Sequence, residues 1–422
     1  MIDVKDLQKN PDTYRRAAKN RGGFALQQVE AALKKLASVP NRKPLEQKQA
    51  LLNAGSKLIP TLKGQERAQK VQELRVVSNE IKELKTQIVS AETADAMIAL
   101  QIPNLPKDDV PIGKDASDNK TIREQGKKPK LKLPKDYLTI AEKLGIIDVE
   151  RAAKVSGSRF GYLIGAAAEL EFALIHYAQD IVLPERFTMI VPPVLIKADN
   201  MQAMGYLAGG GERETYHFEK DDLYLVGTSE QSIGPMHRDE TFSESDLPKR
   251  YLSFSTCFRR EAGSYGKDTK GILRVHQFDK LEMFSFTLPE KSDQEHEFFL
   301  TLQERLWQGL EIPYRVVKLC TGELGFPSAR TYDIDAWMPG QGRYFEVAST
   351  STTTDYQSRD LNIKVQREDK KELVHMLNGT AFAIGRTLAA IIENYQQADG
   401  SVAIPKVLQP YLNGQKTISK PQ

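Results

Sequence analysis

Apolar residues recur along this chain in two rhythms. From Leu26 to about Leu100 they return every three or four positions: Leu26, Val29, Leu33 and Leu36, then Val71, Leu74, Ile81, Leu84 and Ile88, with Ser78 filling one gap. Between these runs lie Leu51, Leu52, Leu58, Ile59 and Leu62. A stripe this narrow predicts an antiparallel two-helix coiled coil rather than a globular helix, and Gly64 offers the reversal point. Residues 1–24 predict a short helical element ending at Gly22–Gly23. Pro40, Pro44 and Pro60 fall within the first long helix. An interior proline costs a helix roughly 3 kcal/mol and a hydrogen bond, so this helix is expected to kink or split near 38–44.

Past residue 135 the rhythm changes. Short strand-like runs occur at TMIVPPV, DLYLVGTSE, RYLSFSTCFRRE, LRVHQFDKLEMFSF, YRVVKLC, TYDIDAWM and YFEVAST, with helices over Ala166–Asp180 and from about Thr380 to Tyr395. Several neighbouring strands are joined by loops too short to hold a helix, which predicts an antiparallel sheet. The fold class is α+β. The Pro-, Gly- and Lys-rich stretch 106–135 reads as a linker between an N-terminal domain, 1–105, and a larger domain, 136–422.

Composition narrows the function classes. The net charge of +3 over 422 residues is too small to announce a nucleic-acid binder by itself. The predicted arm, 26–100, holds twelve basic against eight acidic residues, a modest excess that suits RNA. Cys257 and Cys320 have no metal-ligand spacing and read as reduced thiols. No HExxH or CxxC suggests a zinc site. No apolar run approaches the ~20 residues of a membrane span, so a cytoplasmic protein with no membrane partner is expected.

Candidate chemistry concentrates in CFRREAGSYGKDTKGILRVHQFDKLE, residues 257–282. Side chains alternate along a strand, so Arg259 and Glu261 would share one face in its first half. Arg274, His276, Phe278, Lys280 and Glu282 would share it in the second, with the loop 262–273 closing over. LYLVGTSEQ would add Thr228 and Glu230 from a strand face, and RYFEVAST would add Glu346. A sheet collecting so many charges is costly unless they meet ligand. Arginines suit phosphates, carboxylates suit Mg²⁺ or an ammonium, and an aromatic face suits a nucleobase. The inventory points to a nucleoside triphosphate with Mg²⁺ and a small cationic co-substrate. Neither a Walker loop nor a Rossmann fingerprint is present.

The stretch FRREAGSYGKDTKGILRVHQFDKLE resembles motif 2 of the class II aminoacyl-tRNA synthetases, in the form found in seryl-tRNA synthetases. GTAFAIGRTLAAIIENYQ resembles motif 3, and FTMIVPPVL, with Pro192–Pro193, the weaker motif 1 of the dimer interface. The resemblance covers nearly the whole chain, from coiled-coil arm to the terminal DGSVAIPKVLQPY. It implies an enzyme that activates L-serine with ATP and transfers the seryl group to tRNA(Ser), with tRNA(Sec) a further candidate acceptor. It also implies a homodimer, and no DNA partner.

By the same resemblance Arg259 would hold the α-phosphate and the serine carboxylate, and Glu261 the adenine amino group. Phe278 and Arg386 would sandwich the adenine, and Arg274 would contact the distal phosphates. Arg260, Val275, Val347 and Ala348 belong to the implied ATP-binding segments. Glu346 and Ser349 would carry Mg²⁺. Thr228, Ser229 and Glu230 form the segment for the serine amino group, with Ser229 turned away. Glu282 and Thr380 would read the serine hydroxyl, and His276 would be structural. Plainer roles compete: Thr380 as a helix cap, Phe278 as core, Arg386 paired with a surface carboxylate. Lys267 and Lys270 of the basic loop would meet the acceptor end of the tRNA.

Two segments depart from the family pattern. Thr228-Ser229-Glu230 stands where many relatives have TAE, and Glu346-Val347-Ala348-Ser349 where EISS is common. A carrier-protein-loading paralogue and a non-catalytic RNA-binding or regulatory relative are the alternatives. The first typically lacks the arm, and the second would have lost the Arg and Glu anchors.

Overall fold

The computed structural model describes residues 1–37, 43–262 and 270–420. It forms two compact units, Ile2–Ile102 and Pro103–Gln422, the latter taking in Met1.

The first unit is helical: α1 (Val4–Lys9), α2 (Pro11–Arg21), α3 (Gly23–Leu36), α4 (Lys43–Leu58) and α5 (Gly64–Ala99). Asp3 opens α1 by accepting from the Lys5 and Asp6 N–H groups, which satisfies donors that the first turn leaves orphaned. Ala25, Val29, Ala32 and Leu36 form the buried stripe of α3. Small alanines take two seam positions, and the leucines expected there, Leu26 and Leu33, flank it half-buried.

On α5 the buried positions Leu74, Ile81 and Ile88 recur every seventh residue, while Val71, expected in the stripe, is exposed. Lys48 pairs with Glu80 at 2.6 Å, and Gly55 packs so closely on Leu74 that a Cβ there would approach it to 2.5 Å. Lys48 faces Glu80 and Gly55 faces Leu74, so the two helices run antiparallel. Gly55 occupies the seam, while Leu51 and Leu58, expected within it, are exposed. The prolines act at helix ends. Pro44 is the second residue of α4, where a missing N–H costs nothing, and Pro60 sits in a 3₁₀ turn, Ile59–Thr61. Pro40 lies outside the described residues.

The second unit is built on an eight-stranded sheet. In chain order its strands are β1 (Lys120–Gln125), β2 (Phe187–Ile190), β3 (Lys249–Phe258), β4 (Gln277–Thr287), β5 (Tyr314–Lys318), β6 (Arg330–Met338), β7 (Arg343–Thr354) and β8 (His375–Ala383). They lie in the order β1-β5-β6-β7-β8-β4-β3-β2. Every pairing is antiparallel except that of β2 with β3.

Helices α6 (Ala166–Val182), α7 (Ser292–Gly309) and α8 (Ile384–Asn394) join the main core. Leu170 and Leu174 of α6, Phe299 and Trp307 of α7, and Leu388 and Ile391 of α8 bury there with Leu281, Met283, Ile334 and Phe382 of the strands. On the opposite face of β4 and β8, Phe284, Phe286 and Met376 join a second apolar core, and the polar positions lie beyond them at Lys280, Glu282 and Thr380.

Two expectations are corrected here. The stretch read as a linker is bound into the second unit: β1 is the sheet's edge strand, and Lys107 N–H donates to Ala329 O at 2.9 Å. All six β1 side chains are exposed, so the strand carries no apolar signature; its backbone pairing and the Arg123–Glu304 ion pair hold it. The last helix begins at Ile384 rather than Thr380, which belongs to β8.

Candidate active site

One pocket opens on the polar face of β4, β7 and β8. Fourteen residues of the ligand-binding segments expected from sequence line it: Thr228, Glu230, Arg259, Glu261, Arg274, Val275, Phe278, Glu282, Glu346, Val347, Ala348, Ser349, Thr380 and Arg386. Ser229 and Arg260 of the same segments do not. Ser229 is fully buried with its Oγ 2.6 Å from Ser253 Oγ. The Arg260 guanidinium lies 5.2 Å from the centre of the Tyr216 ring. His276 is not in the lining either, and its Nδ1 faces the Arg259 carbonyl at 3.0 Å.

At one end Thr380 Oγ1 donates to Glu282 Oε2 at 3.0 Å. A β-bulge makes this contact. Leu281 pairs with Phe382 and Glu282 pairs with Thr380, so Ala381 is an extra residue in β8. In an unbulged ladder Glu282 would pair with Ala381, and Thr380 would turn toward the core. Thr380 is therefore a strand residue in the site and not a helix cap.

Lys280, which shares the face of Glu282, brings its ammonium within 2.7 Å of Glu282 Oε2 and donates to Thr228 Oγ1 at 2.7 Å. The predicted face included Lys280, but no role was attached to it. Glu230 opens a four-residue helix, Glu230–Ile233, rather than lying on a strand. Burial, and then the charge of Glu282, push its carboxyl up to about 8.

At the other end the strand-alternation argument fails in detail. β3 stops at Phe258 and β4 starts at Gln277, so Arg259, Glu261 and Arg274 stand on the turns beyond the paired strands. Glu261 adopts a left-handed backbone, φ 52°. Arg260 N–H and Ala262 N–H donate to the Glu214 carbonyl and carboxylate at 2.9 and 3.2 Å, which fixes this turn. Arg259 Nε donates to Gly227 O at 3.1 Å, with its guanidinium 5.2 Å from the Phe278 ring centre. Arg274 approaches Glu261 at 3.6 Å.

The returning strand is clamped by Tyr137, whose hydroxyl accepts from Ile272 N–H at 2.8 Å. Gly271 beside it, at φ 79°, leaves room: a Cβ there would lie 1.9 Å from that hydroxyl. Lys267 lies outside the described residues.

Arg386 donates to the Glu346 carboxylate at 2.9 Å and to its carbonyl at 3.1 Å. A second bulge shapes this corner. Asp333 pairs with Ser349, Ile334 with Ala348, and Asp335 with Glu346, leaving Val347 as the extra residue. Glu346 and Ser349, three apart, would otherwise point to opposite faces; the bulge turns both to the side of Asp333 and Asp335. Burial and the charges of Glu346 and Asp335 hold the Asp333 carboxyl well above its usual range. Sequence reading missed Asp333 and Asp335, whose signal was the DIDAW alternation. Carboxylate and hydroxyl oxygens are the hard donors that Mg²⁺ takes. Among the described residues no three His, Cys, Asp or Glu gather closely enough to hold a metal alone.

On the reverse of β4, a second cavity is lined by Glu171 of α6 with Phe278 and Asp279. Burial, and then the Asp279 charge, push the Glu171 carboxyl from an ordinary 4.5 up to about 8. The folded chain then holds a proton that the unfolded chain releases. Its stabilising contribution is complete below about 4.5 and is lost as pH rises through about 8. Glu171→Gln, neutral at every pH, is expected to remove part of the decline in melting temperature between pH 5 and 8. Parallel Tm–pH curves for the two proteins would contradict this.

Residues 215–395 match the model of the tRNA synthetase class II core domain (G, H, P, S and T), and residues 1–106 that of the seryl-tRNA synthetase N-terminal domain. The chain is 42% identical over 418 residues to the serine–tRNA ligase of Dictyoglomus turgidum, covering 98% of each chain. It is 40% identical over 427 residues to that of Streptomyces coelicolor, covering 99% of each. Its structure is similar to that of a seryl-tRNA synthetase from Pyrococcus horikoshii complexed with ATP, at TM-score 0.93, 37% identity and full coverage of both chains. The Naegleria fowleri cytoplasmic enzyme in complex with AMP matches at TM-score 0.87 and 32% identity, over 100% of this chain and 99% of that one.

Proposed function

Because the chain belongs to the seryl-tRNA synthetase family of class II aminoacyl-tRNA synthetases, we infer from the pocket how its residues divide the work. The protein is a serine–tRNA ligase: it binds ATP, activates L-serine and esterifies tRNA. No observation favours the carrier-protein or non-catalytic readings.

In the first step a serine carboxylate oxygen attacks the ATP α-phosphorus, and the bond to the β-phosphate bridging oxygen breaks. Seryl-adenylate and pyrophosphate result. The attacking carboxylate is already ionised at neutral pH, so no general base is needed. Catalysis is alignment and charge neutralisation, which suits a pocket of arginines and carboxylates. Arg259 spans the carboxylate and the α-phosphate, held by Gly227 O and the Phe278 ring. Glu261 takes the adenine amino group, Phe278 and Arg386 its two faces, and Arg274 the distal phosphates. Glu346 and Ser349 would hold Mg²⁺, which would supply positive charge beside the departing phosphate oxygens. The Arg386–Glu346 pair keeps both side chains placed at this corner of the pocket. Thr228 and Glu230 take the serine ammonium, and Glu282 with Thr380 the hydroxyl.

In the second step the ribose hydroxyl at the tRNA 3′ end attacks the seryl carbonyl and AMP leaves. The domain 1–105, with its arm, is assigned to tRNA(Ser). A homodimer through the motif 1 region and a cytoplasmic location complete the reading. Among the described residues no helix is long and apolar enough to cross a membrane.

The observation that carries the site assignment is the buried Glu282–Thr380 pair in the same pocket as Arg259. Serine-dependent ATP–pyrophosphate exchange, then transfer of labelled serine to tRNA(Ser), tests it. Removal of the α4–α5 hairpin is expected to abolish transfer and spare exchange. Loss of exchange in a folded hairpin-less protein would contradict that division.

A further inference from the structure

Lys280 is buried, 5% exposed, with its ammonium 2.7 Å from both Thr228 Oγ1 and Glu282 Oε2. A lysine charge is kept in such a place only when paired and hydrogen-bonded. Glu282 Oε2 thus meets two donors, Lys280 and Thr380. No described residue donates to Oε1 of the same carboxylate. Glu230, 3% exposed, lines the same pocket, and its carboxyl makes no hydrogen bond or ion pair with a described residue. Two buried carboxyl groups therefore share one lysine, and the lysine has gone to Glu282. The raised position of the Glu230 carboxyl is the electrostatic counterpart of that choice.

We propose that Lys280 is a positioning residue for substrate selection. By occupying Glu282 Oε2 it leaves Oε1 as the acceptor for the substrate hydroxyl, and it leaves Glu230 as the carboxyl for the substrate ammonium. The inference rests on the placement of serine at this end of the pocket and adds why both groups of a β-hydroxy amine are demanded together. Alanine satisfies Glu230 but leaves Oε1 without a donor.

Without the lysine, Glu230 and Glu282 would repel one another across one pocket, with Arg259 the remaining counter-charge. Uptake of a proton relieves that repulsion. A protonated carboxyl at Glu282 donates as well as accepts, so it no longer insists on a hydroxyl donor.

Lys280→Met keeps the side-chain length and removes the charge. In pyrophosphate exchange its KM for serine is expected to rise about 100-fold, with KM for ATP changed less than about threefold. The serine-to-alanine ratio of kcat/KM should fall about tenfold or more. A merely structural lysine would weaken both substrates and leave that ratio alone, so an unchanged ratio overturns the proposal. Lys280→Arg retains the charge and should keep the ratio to within about threefold, whatever its KM. Loss of the ratio there overturns the proposal as well, and this arm decides the matter if Lys280→Met does not fold. Glu282→Gln separates the two layers. A normal serine KM in that variant would remove serine from this end of the pocket. An impaired Glu282→Gln beside an unaltered Lys280→Met would remove only the role of the lysine.

Discussion

Arg259→Ala is expected to lower the rate of serine-dependent pyrophosphate exchange by about 10³-fold, in a protein that still folds and melts like the parent. The expectation follows from where the guanidinium is tethered. Only Nε is engaged, by Gly227 O at 3.1 Å, and the plane is held 5.2 Å from the Phe278 ring. The terminal nitrogens donate to no described residue and face the pocket. In the proposed division of work they hold two anions, a carboxylate and an α-phosphate, against their mutual repulsion. Arg259→Lys keeps one positive charge but has neither the fork nor the Nε tether, so it should recover little. Exchange within tenfold of the parent in Arg259→Ala would take Arg259 out of the first step.

Glu282→Ala should abolish serine-dependent exchange to the limit of detection, a loss of about 10⁴ or more. Two losses combine. The substrate hydroxyl has no acceptor, and the Lys280 ammonium, 7% exposed in its side chain, loses its carboxylate. The second loss also lowers stability, so melting temperature must be recorded beside activity. A folded Glu282→Ala protein with near-normal exchange would show that serine is bound elsewhere. Threonine, which keeps the hydroxyl, has to be rejected by the size of the pocket alone.

Much of this was legible in the sequence because the motifs keep chemistry and order together. Arg259, Phe278, Glu282 and Arg386 could be named from their stretches, and they line one pocket. The sheet was legible from short alternating runs, and the arm from its narrow stripe. The failures have physical causes. Thr380 reads as a helix start because the apolar run AFAI crosses from strand into helix, and periodicity cannot divide a buried strand from the helix that follows it. β1 escapes notice because a strand whose side chains are all exposed carries no apolar signature. Arg259, Glu261 and Arg274 were placed on strand faces, although the chain had already left the ladder for turns held by Glu214 and Tyr137. Asp333 and Asp335 escaped notice because only the pairing register brings them beside Glu346 and Ser349.

The two bulges carry a wider lesson for telling a working enzyme from a relic. Ala381 and Val347 each absorb a step in the ladder, and each step decides which side of the sheet the functional neighbours occupy. A descendant in which Ala381 slipped back into pairing with Glu282 would keep Arg259, Glu282, Thr380 and Arg386 and would pass any inspection of their identities. Its Thr380 would nevertheless face the apolar interior. Counting catalytic letters would certify that chain as a ligase, while reading the register of its ladder would retire it.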